Sequence, residues 1–123
     1  MYGQPIAKPE AETTGGTVKH DQTRIVEVYM AGDIEHAKQI IRRFCKENPI
    51  CVTVSPTSFI YRGGEESGFV VGLRNYPRFP TDSYSLRRIA GELSVALQEA
   101  LGQDSYMIVD VYGQTTWRSD RDA

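Results

Sequence analysis

From residue 24 onward the chain moves between two hydrophobic rhythms, and their succession sets out an element order. In RIVEVYMAGD, Val26, Val28 and Met30 alternate with Glu27 and Tyr29, the period-two pattern of a strand with one apolar face. Gly32 then turns the chain, Asp33 is a natural N-cap, and Glu35 suits the first turn of a helix. Ile34, Ala37, Ile40, Ile41 and Phe44 recur at helical spacing, so IEHAKQIIRRFCKE reads as an amphipathic helix that Pro49 prevents from continuing.

A second strand places Ile50, Val52 and Val54 against Cys51, Thr53 and Ser55. Pro56 cannot donate to a ladder, which makes this an edge strand or a bulged one. After the turn GGEESG, Phe69, Val71 and Leu73 alternate with Val70, Gly72 and Arg74, until Pro77 and Pro80 stop the strand. The longest apolar stripe follows: Leu86, Ile89, Ala90, Leu93, Leu97, Ala100 and Leu101, preceded by N-cap candidates in TDSYS and followed by Gly102, which suits a helix end. In YMIVDVY, Met107, Val109 and Val111 occupy one face of a last strand, and Tyr106, Ile108, Asp110 and Tyr112 the other.

The predicted order is β-α-β-β-α-β. Two amphipathic helices over one alternating sheet make an α+β, two-layer, ferredoxin-like sandwich: a four-stranded antiparallel sheet with both helices on one face. The first and third strands are then central, and the second and fourth are edges. Residues 1–22, rich in Gly, Pro, Thr and charge, bury too little to offset their ordering entropy and are expected to form a disordered arm. Residues 23–117 form the single domain, and residues 118–123 a frayed tail.

Composition narrows the function. A chain of 123 residues with 40% hydrophobic and 24% charged residues fits one soluble domain. It has no apolar run of membrane-spanning length and no secretory start, so a cytoplasmic location is expected. Cys45 and Cys51 are then expected as reduced, mostly buried thiols. A net charge of -2 gives no general attraction for polyanions, which argues against nucleic-acid binding. His36 at a helix start and His20 in the arm share no paired spacing with the cysteines, so neither a metal nor a cofactor is expected. No nucleophile elbow or phosphate-loop pattern is present, and no catalytic residue is assigned.

What the sequence does offer is binding chemistry. If the predicted faces hold, Tyr29, Arg74, Tyr76, Tyr106 and Tyr112 line the helix-free face of the sheet with Glu27 and Asp110. Tyrosine and arginine are enriched at interfaces because they combine contact area with a polar handle. Arg62 beside Gly63 and Gly64 forms a turn whose amides could hold an anion, although a Gly-Gly turn equally serves any hairpin. In NYPRFP, two prolines stiffen the display of Tyr76, Arg78 and Phe79; Phe79 could instead tuck into the core. These residues predict a small non-catalytic binding protein of accessory or inhibitor type, engaging a partner protein or a second copy as a homodimer. One alternative is a binder of a small anionic ligand such as a nucleotide. The other is a small acid–base enzyme of isomerase or cyclase type, using Glu27 or Asp110 in a site shared between subunits.

Overall fold

The computed structural model describes residues 15–121. Its elements are β1 (Ile25–Ala31), α1 (Ile34–Glu47), β2 (Val52–Tyr61), β3 (Gly64–Arg74), α2 (Ser83–Leu101), β4 (Ser105–Asp110) and β5 (Thr115–Ser119). The strands form one antiparallel sheet in the order β2-β3-β1-β4-β5. The first four strands follow the ferredoxin-like order, with β1 and β3 central. β2 is an edge, and Pro56 pairs in register with Phe69 there without interrupting the strand.

The helices begin and end where the local chemistry requires. Asp33 caps α1 by accepting a hydrogen bond from the Glu35 amide at 3.0 Å. Asp82 caps α2 by accepting from the Ser85 amide at 2.7 Å. α2 ends at Gly102 in the left-handed region, φ 67°, where its amide reaches back to the carbonyls of Gln98 and Glu99. Among the described residues no helix is long and apolar enough to cross a membrane.

The core lies between the helices and one face of the sheet. Val26, Val28 and Met30 of β1 and Phe69, Val71 and Leu73 of β3 are buried with Ala37 and Ile41 of α1 and with Leu86, Leu93 and Leu97 of α2. These are the alternating positions of both central strands, as the pattern predicted.

The expected four-stranded sheet is corrected to five strands, because the chain turns at residues 110–113 and returns as β5 beside β4. Arg118 and Ser119, expected in a frayed tail, pair with Tyr106 and Ser105. Beyond them, Asp120 accepts from the Gln98 amide group at 3.1 Å, and Arg121 meets Asp104 through two bonds of 3.0 and 3.1 Å. Residues 118–121 are thus tied to the domain. Residues 15–22 carry no helix or strand; the rest of the expected arm lies outside the described residues.

The faces of β4 are reversed from the expectation. Val26 pairs with Asp110 and Val28 with Ile108, so Asp110, Ile108 and Tyr106 share the helix side with them. Met107 and Val109 lie on the helix-free side with Tyr29 and Glu27. Tyr106, expected outside, is 8% exposed and belongs to the core, opposite Arg118 in the β4–β5 ladder. Val111 and Tyr112 lie past the end of β4 with exposed side chains, although the Val111 amide still donates to the Ile25 carbonyl at 3.0 Å.

Candidate functional site

The segment NYPRFP forms a braced turn at the exit of β3. The Phe79 amide donates to the Tyr76 carbonyl at 2.7 Å, closing the loop with Pro77 next to Tyr76, where its fixed φ suits a turn. Asn75 ties this turn to the rest of the molecule: its amide group donates to the Gln22 carbonyl, and its side-chain oxygen accepts from the Thr81 amide. Phe79 does not tuck into the core. It is 64% exposed, with the Arg78 guanidinium carbon 5.5 Å from its ring centroid in a cation–π contact.

Beside this turn lies a mainly apolar cleft of about 280 Å³, lined by Pro49, Ile50, Cys51, Arg74, Tyr76, Phe79 and Thr81. Three elements build it: the stretch leaving α1, the end of β3 and the NYPRFP turn. The Val52–Leu73 pair brings the chain just before β2 alongside the end of β3, and so brings Cys51 near Arg74. Tyr76 lies beside Cys51 in this cleft, and the thiol's proximity, with partial burial, raises the phenol above its ordinary value against the opposing charge of Arg74. The Cys45 thiol is pushed up mainly by burial, with Cys51 nearby adding to the effect. Neither cysteine is in a disulfide, and Cys51 is exposed rather than buried as expected.

The fold therefore unites Arg74, Tyr76 and Phe79, with Arg78 on the aromatic ring. It separates the others. Arg62 and Gly63 sit at the tip of the β2–β3 hairpin, where Gly63 takes a positive φ of 88°. Gly64 starts the strand that Arg74 ends, roughly 33 Å away at about 3.3 Å per residue. Tyr29 stands on the helix-free face, its hydroxyl donating to Glu27 Oε1 at 3.0 Å, and this bond raises its phenol. The tyrosine-rich face is consequently thinner than the sequence suggested, since Tyr106 and Tyr112 are not on it.

Cys51, Ile50 and Thr81 complete this cleft without belonging to the binding residues expected from the sequence; pairing Val52 with Leu73 is what places Cys51 beside Arg74. Tyr112 lines a different cleft together with Arg24, whose Nη1 donates to the Thr81 carbonyl at 3.3 Å.

One electrostatic feature near these clefts is testable in solution. The Asp82 carboxyl is held below the usual carboxylate range, first by its bond from the Ser85 amide, with Arg24 and Arg87 adding to it. A depressed folded-state value contributes stability above the unfolded value, and that stability is lost as pH falls through the folded one. The melting temperature of Asp82→Asn should accordingly fall less than that of the parent between about pH 5 and pH 3, since asparagine caps without titrating. Parallel acid limbs for the two proteins would contradict this role.

No protein-family model matches the chain, and no curated protein sequence does. Among solved structures, a phage SAM lyase in its apo state is similar, with a TM-score of 0.62 and 12% identity over 78% of this chain and 88% of that one. A phage SAM lyase in complex with S-methyl-5'-thioadenosine gives a TM-score of 0.65 and 11% identity over 85% of this chain and 95% of that one. The periplasmic divalent cation tolerance protein CutA from Archaeoglobus fulgidus gives 0.47 and 14% over 76% and 85% of the two chains. At these identities, what the chain shares with the phage lyase is its fold: an antiparallel sheet carrying two helices in one α+β domain.

Proposed function

We propose that this protein binds a nucleoside of the S-adenosyl class in the cleft between Arg74, Tyr76 and Phe79. The observation that carries the reading is the convergence of two aromatic rings and a guanidinium on one apolar cleft of about 280 Å³, close to the lower end of small-ligand pockets. Exposed aromatic rings stack nucleobases at about 1–3 kcal/mol per base. Phe79 is accessible for this, and the prolines that flank it limit the entropy lost when a ligand docks. The likeness to a lyase whose complex holds S-methyl-5'-thioadenosine supports taking that compound and SAM as the first ligands to test.

Titration calorimetry with S-methyl-5'-thioadenosine and SAM, followed by chromatography of the SAM mixture, tests the reading. Saturable binding of either compound supports it. Release of S-methyl-5'-thioadenosine from SAM would extend it from binding to lyase turnover, and an unchanged SAM peak would keep the protein a binder. Absence of binding by both compounds overturns it.

A second reading, engagement of a partner protein or of a second copy, is favoured by a different observation. The β1–β3 ladder ends at Ala31 and Gly68, whereas the β2–β3 ladder continues to Tyr61 and Gly64. The hairpin tip therefore projects past β1, with Ile60 76% and Tyr61 54% exposed. On this reading Arg62, Gly63 and Gly64 belong to the partner surface, along with Trp117 and Tyr29 on the helix-free face.

A further inference from the structure

The cleft across the Arg24–Thr81 bond is the more polar of the two, and its chemistry is distinct. It holds about 350 Å³ where three element ends gather: the start of β1, the start of α2 and the end of β4. Val26 and Leu86 give it an apolar floor, and Arg24, Ser83, Asp110 and Tyr112 line its polar side. Asp110 is the charged residue on the helix side of β4, opposite Val26, and its carboxylate is only 16% exposed. Arg87 Nη1 holds one carboxylate oxygen at 3.2 Å and the Tyr112 amide holds the other at 3.2 Å. Each oxygen can accept again, since an ionised carboxylate has about four lone-pair sites. Arg24 gives one N–H to the Thr81 carbonyl, leaving most of its roughly five donors for a ligand.

A carboxylate acceptor and a guanidinium donor thus line one small cleft. A simple anion would meet Asp110 and the nearby Asp82; a simple cation would meet Arg24 and Arg87. A zwitterion can offset each like charge with an opposite one. Its carboxylate can take the Arg24 fork and its ammonium the Asp110 oxygens, both as charge-assisted bonds. We propose that this cleft binds the α-amino acid group of a ligand, with Arg24 on the carboxylate and Asp110 on the ammonium.

Thr81 lines one cleft and Arg24 the other, and their hydrogen bond joins the two linings, so the proposal extends to a ligand with its nucleoside half in one and its amino acid half in the other. S-adenosyl compounds have that form, and the two-cleft version of the proposal rests on the nucleoside reading above. A free amino acid in the polar cleft alone does not.

The test compares S-adenosylhomocysteine, which carries both halves, with S-methyl-5'-thioadenosine, which lacks the amino acid. By calorimetry on the unaltered protein, S-adenosylhomocysteine should bind about tenfold more tightly or better, as one additional charge-assisted contact would give. Arg24→Gln and Asp110→Asn should each reduce that advantage to about twofold or less, and Asp110→Asn, which touches no residue of the nucleoside cleft, should leave S-methyl-5'-thioadenosine affinity unchanged. Equal affinities for the two compounds on the unaltered protein overturn the proposal, whatever the variants do, and leave the nucleoside reading standing. If neither nucleoside binds, L-methionine decides by amide NMR shifts. Saturable shifts at Ser83 and Tyr112 sustain the amino acid cleft without the nucleoside reading, and no shifts there overturn it.

Discussion

Phe69→Ala should lower the unfolding free energy by about 3–5 kcal/mol, the range found for emptying a buried aromatic position. Phe69 is fully buried in the central strand β3, between Met30 of β1 and Pro56 of β2 in the ladders, beneath the two helices. Neither neighbouring strand can move in to fill the space without breaking its own register. The lost transfer energy is therefore joined by a cavity term. Against a total stability of about 5–15 kcal/mol for an ordinary domain, a loss of this size shifts the urea midpoint far more than surface changes do. Phe69→Leu, which keeps most of the volume, should cost less than about 1.5 kcal/mol. A loss below about 1 kcal/mol for Phe69→Ala would mean that the core is not built around this ring.

The sequence disclosed Phe69 because β3 has polar or small residues between its apolar ones, so one face was unmistakable. The same rule failed at β4. Tyr106, Met107, Ile108 and Val109 are apolar or aromatic at every position, and period two then carries no information about which set faces the helices. Only pairing decides it, since a slip of one residue exchanges the two faces. The fifth strand escaped for a related reason. Thr115, Thr116, Trp117 and Arg118 are exposed, so an outer strand over little core left no alternation to read. What signalled it was the turn: Gly113 donates to the Asp110 carbonyl, and the Asp110 side chain accepts from the Tyr112 amide, a hairpin closure hidden in DVYG.

The candidate site was legible in part for the opposite reason. Arg74, Tyr76 and Phe79 are close in sequence and the prolines confine them, so local reasoning was enough to bring them together. Cys51, Thr81 and the whole polar cleft depend on contacts between distant elements. Arg24 and Thr81 are far apart in the chain and meet only because the start of β1 and the approach to α2 lie at the same edge of the domain. Local pattern cannot show that.

The strongest functional effect is expected at the other phenylalanine. Phe79→Ala should weaken S-methyl-5'-thioadenosine binding by about 5- to 150-fold, the equivalent of roughly 1–3 kcal/mol of lost base stacking. Its stability cost should be within about 0.5 kcal/mol, because the ring is 64% exposed and holds no core position. The two measurements together separate a binding residue from a structural one: Phe69→Ala moves the urea midpoint, and Phe79→Ala moves the binding isotherm. Tyr76→Phe supplies the internal control. It removes the hydroxyl beside Cys51 but keeps the ring, so a nucleobase that stacks should tolerate it better than the loss of Phe79. The turn itself should survive both changes, since it is closed by the backbone bond from Phe79 to Tyr76 and braced through Asn75. Wild-type affinity in Phe79→Ala, within about twofold, would remove the aromatic cleft from consideration as the nucleoside site. The exposed Ile60, Tyr61 and Trp117 would then be the surfaces with unexplained exposure, and partner binding would become the better account of the chain.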